Sequence, residues 1–160
     1  MKRYGFITLF AILLVSACEN TGSLELRIVT IERGAIGLEV VNETSEEIVV
    51  LSPEAPARQA DAQRCVLLIS TKVTDDVRPY AFTPRLESVG AKASRRFRVA
   101  LAPVSLTSNT CTEWTVDAEY AYMPANDVAM FKGRAFEHFR QHVLKNQKVL
   151  TTSAKGPVKH

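Results

Sequence analysis

The sequence predicts a mostly β protein, built as an antiparallel β-sandwich with one short helix near the C-terminus. Seven or eight short apolar segments follow one another with turn residues between them, which is typical of an all-β domain. Apolar and polar residues alternate most clearly in 96–101 and 111–122, with the period of two expected for half-buried strands. Only 133–145 has apolar residues three and four positions apart, as a helix requires.

The first strands are predicted at 24–28, 38–41 and 48–51. Residues 24–28 alternate between apolar and charged side chains, which favours a strand with one buried face. The last two segments flank the polar turn Asn42–Ser45, so we expect them to form a hairpin.

Loops and strands alternate in the same way farther along the chain. Residues 52–63 contain two prolines and no apolar periodicity, so we expect an exposed loop there. Residues 64–71 should form a strand with apolar side chains on both faces. Residues 80–84 should form a short edge strand, because proline is tolerated at an edge. Residues 124–127 are expected to be a turn, and 148–152 the final strand.

The N-terminal segment has the composition of a signal peptide. Lys2 and Arg3 precede the apolar run Phe6–Val15, whose length of about ten residues is half of what a membrane-spanning helix needs. This run leads into Val15-Ser16-Ala17-Cys18, which resembles the lipobox of bacterial lipoproteins. In that family the cysteine thiol receives a diacylglycerol and the signal peptide is cleaved just before it. The alternatives are an uncleaved apolar segment and an ordinary signal peptide with a nearby cysteine.

The resemblance implies a lipid-anchored mature protein. Residues 1–17 would be the signal peptide, Cys18 the lipid attachment site, and 18–23 a short tether. A cysteine that bears two or three acyl chains, such as palmitate, anchors stably, whereas one chain binds only marginally. In enteric lipoproteins an aspartate after the cysteine favours the inner membrane. Glu19 here therefore implies the periplasmic face of the outer membrane.

The mature chain should form one domain with little net charge. Residues 18–160 are enough to bury a core, with a single domain at 24–153 and a frayed tail at 154–160. Two of the 20 basic residues and none of the 17 acidic residues lie in 1–17, which leaves 18 against 17. This balance gives no sign of a nucleic-acid partner.

Cys65 and Cys111 are the two cysteines that follow Cys18. An even pair in an exported chain favours a disulfide, because the periplasm is oxidising. Closing a loop of about 47 residues would stabilise the fold by roughly 4 kcal/mol in the chain-entropy model. Two buried thiols are an alternative. A metal site is disfavoured, because no second cysteine or histidine lies close to either residue in sequence.

The number and spacing of the strands resemble the immunoglobulin-like domains of small bacterial lipoproteins. The chain departs from true immunoglobulin domains in two ways. Trp114 lies just after the second cysteine, and no tyrosine stands two residues before that cysteine.

The sequence contains no motif for catalysis. The nucleophile-elbow, zinc-protease, phosphate-loop and C-x-x-C motifs are all missing. His138 and His142 would share a helix face and could bind one metal ion, but no third ligand is nearby, so we expect both to be solvated. Aromatic residues could line a groove, although core positions are the commoner use; these are Tyr120, Tyr122, Phe131 and Phe136. We therefore expect no metal, no cofactor and no enzymatic activity.

Three functional hypotheses follow. The first is a non-catalytic binding or assembly module that contacts an envelope protein. The second is a periplasmic inhibitor of a hydrolase, which would present 52–63 or 75–79 as a rigid loop. The third is an enzyme whose site is assembled from distant residues, recognisable by a concave pocket with convergent polar groups.

Overall fold

A computed structural model describes residues 22–32, 34–75, 85–101, 111–130 and 136–157, except for the side chain of Phe136. The predicted mostly β fold with a short helix near the C-terminus is confirmed. Nine strands and two helices lie in the described part: β1 (Leu24–Glu32), β2 (Ala35–Asn42), β3 (Ile48–Leu51), β4 (Ala57–Asp61), β5 (Val66–Ser70), β6 (Leu86–Val89), β7 (Ala93–Ala100), β8 (Glu113–Pro124), α1 (Ala125–Ala129), α2 (Phe136–Asn146) and β9 (Lys148–Pro157).

The strands form two sheets. The smaller sheet has the order β1-β2-β7 and is antiparallel. The larger sheet is centred on β8, which pairs with β9 along one edge and with β5 and then β3 along the other. β4 pairs with β5, and β6 pairs with β3. The β5–β8 pair is parallel, so the expected antiparallel arrangement is wrong at this position.

The larger sheet buries side chains on both of its faces. Because side chains alternate along a strand, the even-numbered residues of β8 face the smaller sheet and share one core with it; these are Trp114, Val116, Ala118 and Tyr120. Ala121 and Met123 face the other way, and they pack with Phe139 and Val143 of α2. The covering helices explain why all four residues of β3 are buried.

The predicted hairpin between β2 and β3 is wrong, because the two strands lie in different sheets. Asn42, at the end of β2, is fully buried. Its Nδ2 donates to the carbonyl oxygens of Glu46, Val89 and Gly90 at 2.7, 3.2 and 3.0 Å. Its Oδ1 accepts from the backbone N–H and the hydroxyl of Thr44. One amide therefore bonds both the turn that follows β2 and the end of β6.

Several segments contain more regular structure than predicted, among them 86–89, which form β6. Residues 57–61 of the expected loop form β4, whose five residues are all exposed and so show no apolar periodicity. The expected turn at 124–127 contains the start of α1. Residues 154–157 of the expected frayed tail belong to β9. Gly156 is buried there, and an added Cβ would lie 2.8 Å from Ile31 Cδ1, so the two sheets approach closely at this point.

Several other predictions concern residues at the margins of the described ranges. The predicted edge strand at 80–84 and residues 133–135 of the predicted helix lie outside the described residues. The rest of the predicted helix corresponds to α2. Residues 18–21 of the predicted tether lie outside the described residues, and the carbonyl oxygen of Ser23 accepts a hydrogen bond from the backbone N–H of Glu43.

Candidate functional site

The strand registers place the turns and strand ends in two groups, one at each end of the sheets. One group of strand ends and turns contains residues 22–23, 42–47, 90–92 and 124–125, which backbone and Asn42 side-chain hydrogen bonds link together, and it is termed the Asn42 end. The opposite group contains residues 61–65, 100–101, 111–113 and 156–157, and it is termed the disulfide end. The described chain begins at the Asn42 end, so the disulfide end is the part of the molecule farthest from residue 22.

A disulfide between Cys65 and Cys111 gives this end its name and confirms the predicted pairing. Their Cα atoms are 5.8 Å apart. The bond joins the starts of β5 and β8, which are parallel neighbours. Cys111 is buried, and the Cys65 carbonyl accepts from the backbone N–H of Thr115 at 2.9 Å. Cys65 has a φ of 55°, in the left-handed region that non-glycine residues rarely adopt, so the disulfide and this hydrogen bond hold a conformation that costs energy.

The turn between β4 and β5 projects from this end and is well ordered. Asp61 Oδ1 accepts hydrogen bonds from the backbone N–H groups of Gln63 and Arg64 at 3.1 and 3.2 Å. The Arg64 side chain is 82 % exposed, with its Nε 3.5 Å from Asp61 Oδ2. Cys111 Sγ lies 3.5 Å from the carbonyl oxygen of Ala62. The result is a compact, exposed turn that is held by an aspartate at its start and by a disulfide at its end.

An arginine fixes the same hairpin to the other sheet. Arg58, in β4, donates through Nη1 to the carbonyl oxygen of Ala100, the last residue of β7. Because β4 is an edge strand with five exposed residues, it would otherwise have only β5 to support it. A charged side chain on a short edge strand also hinders pairing with strands of other molecules.

A buried tyrosine fixes the segment that leads into β4. Tyr120 is fully buried, 6.2 Å from Phe97 between ring centroids, and its hydroxyl donates to the carbonyl oxygen of Pro53. Burial raises the pKa of Tyr120 above its ordinary value, and the charge of Glu54 acts in the same direction. The hydroxyl is therefore a neutral donor at ordinary pH, and it restrains the chain just before the projecting hairpin.

The other residues singled out from the sequence are dispersed. Cys18 lies outside the described residues. His138 is exposed, and Nδ1 of His142 is 3.1 Å from Asn146 Nδ2. Across the described residues, histidine, cysteine, aspartate and glutamate form no group of three that could hold a metal ion. No described helix has the length and apolar character required to cross a membrane.

The loop expected at 75–79 is described only at its start. The carbonyl oxygen of Asp75 accepts from Arg140 Nη2 of α2 at 3.3 Å. Gln147 holds Val73, two residues before Asp75. Its Nε2 donates to the carbonyl oxygen of Val73, and its Oε1 accepts from the N–H of Val73. Of the four aromatic residues considered for a groove, Tyr120 belongs to the core, Tyr122 is half-buried, and the side chains of Phe131 and Phe136 lie outside the described residues.

Sequence reasoning missed the residues that shape the disulfide end, namely Arg58 and Asp61. Asp61, three residues after which comes Arg64 and then Cys65, is a recognisable turn signal, because an aspartate side chain can accept from the backbone N–H groups two and three residues on. Arg58 carries no comparable signal. No family model matches the chain, and comparisons with curated proteins and with solved structures found no significant match.

Proposed function

We propose that this protein is a bacterial lipoprotein that is anchored through Cys18 to the periplasmic face of the outer membrane and acts as a non-catalytic binding or assembly module. The observation that carries the proposal is the exposed β4–β5 turn at the end of the molecule opposite residue 22. A partner that approaches from the periplasm would reach this turn first. The mature fold in this proposal is an immunoglobulin-like sandwich, supported by the core that the two sheets share.

The chemistry of the concave surfaces supports a binding role over catalysis. Three of the grooves in the described part of the chain lie beside Gly22, beside α1 and between β1 and β9. The residues that line these three grooves include no histidine or cysteine. A site assembled for catalysis would bring together titratable groups with shifted pKa values.

The anchor is tested by the intact mass of the membrane-extracted protein and of a Cys18→Ser variant. We expect a mass that matches residues 18–160 plus a diacylglycerol and acyl chains, and its loss in the variant. An unmodified or uncleaved chain in both samples would contradict the lipoprotein assignment, and with it the proposed localisation.

The binding role is tested by a photo-crosslinking amino acid at Gln63, on the projecting turn. Ser45 is a matched control, because it is also exposed and lies in a turn at the Asn42 end. We expect adducts with one envelope protein from position 63 and none from position 45. Adducts from position 45 alone, or from neither position in cells that contain the lipidated protein, would contradict the proposal that the disulfide end binds the partner.

Inhibition of a periplasmic hydrolase is a second candidate, favoured by the order of the turn at 61–65. The shape of the turn counts against this candidate. Inhibitors that act like a substrate present an extended segment, whereas Asp61 closes residues 61–65 into a tight turn. A hydrolase as the crosslinked partner, with its activity reduced by the purified protein, would select this candidate.

A further inference from the structure

The described chain begins in close contact with the turn that follows β2. The carbonyl oxygen of Ser23 accepts from the backbone N–H of Glu43 at 2.9 Å, and its hydroxyl donates to Glu43 Oε2 at 3.0 Å. At Gly22, an added Cβ would lie 1.6 Å from the Glu43 carbonyl oxygen and 2.2 Å from its carbon. Any side chain at position 22 would therefore displace the backbone, and this path of the chain depends on glycine.

This contact shortens the free chain between the domain and Cys18. Four Cα–Cα steps separate residues 18 and 22, which span at most about 14 Å. The paired residues of β8 and β9 extend from Glu113↔Pro157 to Tyr122↔Lys148, a ladder roughly 30 Å long at the usual rise per residue. The Asn42 end must therefore stay near Cys18, while the disulfide end can lie about 30 Å farther away.

The exposed charges of the Asn42 end oppose adsorption onto an anionic surface. The turns 43–47 and 90–92 carry three exposed carboxylates against one exposed ammonium; these are Glu43, Glu46, Glu47 and Lys92. Lys92 Nζ donates to the carbonyl oxygen of Glu43 at 2.6 Å, so the ammonium is held beside these acids. These carboxylates repel an anionic bilayer within a Debye length of about 8 Å at physiological salt. The short tether, and not adsorption, would therefore hold this end close to the membrane.

We propose that the turns 43–47 and 90–92 form the surface that faces the phospholipid bilayer, and that the contact of Gly22 with Glu43 sets this orientation. The proposal rests on the lipid attachment at Cys18 proposed above. In this arrangement the domain stands on its Asn42 end at the length of the tether, and the disulfide end points into the periplasm.

Two exposed lysines at opposite ends provide the test. Lys92 lies at the Asn42 end and Lys155 near the disulfide end. The lipidated protein is placed in phosphatidylethanolamine–phosphatidylglycerol vesicles and treated with a bulky, membrane-impermeant amine reagent, and modification is followed by mass spectrometry. The unlipidated Cys18→Ser variant gives the rates in solution. We expect Lys92 to react several-fold more slowly on vesicles than in solution and Lys155 to react at an unchanged rate.

A glycine pair tests the role of the contact itself. Gly22→Ala should bring the Lys92 rate on vesicles close to the solution rate. Gly34→Ala makes the same chemical change where an added Cβ meets nothing within 4 Å, so it should leave the protection in place. Thermal unfolding of both variants serves as the control that each variant keeps the fold.

The outcomes separate the two proposals. Wild-type protein that does not co-float with the vesicles overturns the anchor and the orientation together. Protein that co-floats, with Lys92 and Lys155 slowed equally or neither slowed, leaves the anchor standing and overturns the orientation. Retained protection in Gly22→Ala overturns the role of the glycine contact.

Discussion

The two ends of the domain are held by different means. At the Asn42 end a single buried side chain makes five hydrogen bonds to the chain segments around it. At the disulfide end a covalent bond joins two parallel strands. The amide network stabilises the native state directly, whereas a disulfide acts largely by restricting the unfolded chain. The two ends should therefore respond differently to mutation, although both are local features of the same sheets.

The largest effect is expected from Asn42→Ala. Removing the amide takes away the donor to the buried carbonyl oxygen of Val89 and four further hydrogen bonds to the surrounding turns, so we expect the free energy of unfolding to fall by about 3–5 kcal/mol. Urea denaturation measures this loss, and the m-value should not change, because the effect lies in the folded state. Asn126→Ala, at an exposed asparagine of α1, should cost less than about 0.5 kcal/mol. Equal losses in the two variants would contradict the role assigned to Asn42.

Loss of the disulfide should come next. Replacing Cys65 and Cys111 together by serine should lower the free energy of unfolding by about 2–4 kcal/mol. Here the m-value should rise, because the unfolded chain loses its cross-link and exposes more surface. An unchanged m-value would show that the disulfide acts through the native state, and the contrast between the two ends would disappear.

Tyr120→Phe removes one hydroxyl that links β8 to the segment before β4. The Pro53 carbonyl then lacks its donor, so we expect a loss of about 1–2 kcal/mol at neutral pH, measured by urea denaturation. Tyr122→Phe is the control, since Tyr122 is half-buried and belongs to the same strand.

The same tyrosine predicts a dependence on alkaline pH. Its pKa is raised in the folded state, so above the ordinary tyrosine value of about 10 the unfolded state releases a proton that the folded state keeps. The contribution of neutral Tyr120 is therefore complete below pH 10 and falls as the pH rises further, by up to about 1.4 kcal/mol per pH unit. The difference in stability between wild type and Tyr120→Phe should shrink over this range. A constant difference would show that Tyr120 ionises equally in both states.

The smallest effects concern two arginines that differ in what they contact. Arg58→Ala should cost about 1 kcal/mol, because it removes the hydrogen bond between β4 and Ala100. Arg98→Ala should cost less than about 0.5 kcal/mol, since its Nη2 lies 4.0 Å from Glu32 Oε2 and both side chains are largely exposed. Proteolysis near β4 should become faster in the first variant and not in the second.

The sequence predicts those features that depend on buried side chains. β3 was predicted with its observed bounds, because four consecutive apolar residues are buried from two sides. The alternation of β7 and β8 and the disulfide were also predictable, since each has a local pattern or a single possible partner. β4 was missed because an edge strand with five exposed residues is specified by backbone pairing with β5.

Long-range features of the fold were beyond local patterns. The turn after Asn42 looked like a hairpin, because the sequence does not show which sheet the following strand joins. The parallel pairing of β5 with β8 joins residues far apart in sequence, and no local signal distinguishes it from an antiparallel alternative. The turn at 61–65 joins β4, which has no apolar pattern, to β5, so the candidate site could be predicted only in its cysteines.

The central position of β8 has a consequence for how the chain folds. Its neighbours are β3 and β5, which are made long before it, and β9, which contains the last described residues of the chain. The larger sheet therefore cannot be completed until the chain has been synthesised as far as residue 157. Until then one edge of β8 is open to pairing with other chains, which is the situation that leads to aggregation. We expect folding to be slow for a domain of this size, because most of its strand contacts are distant in sequence.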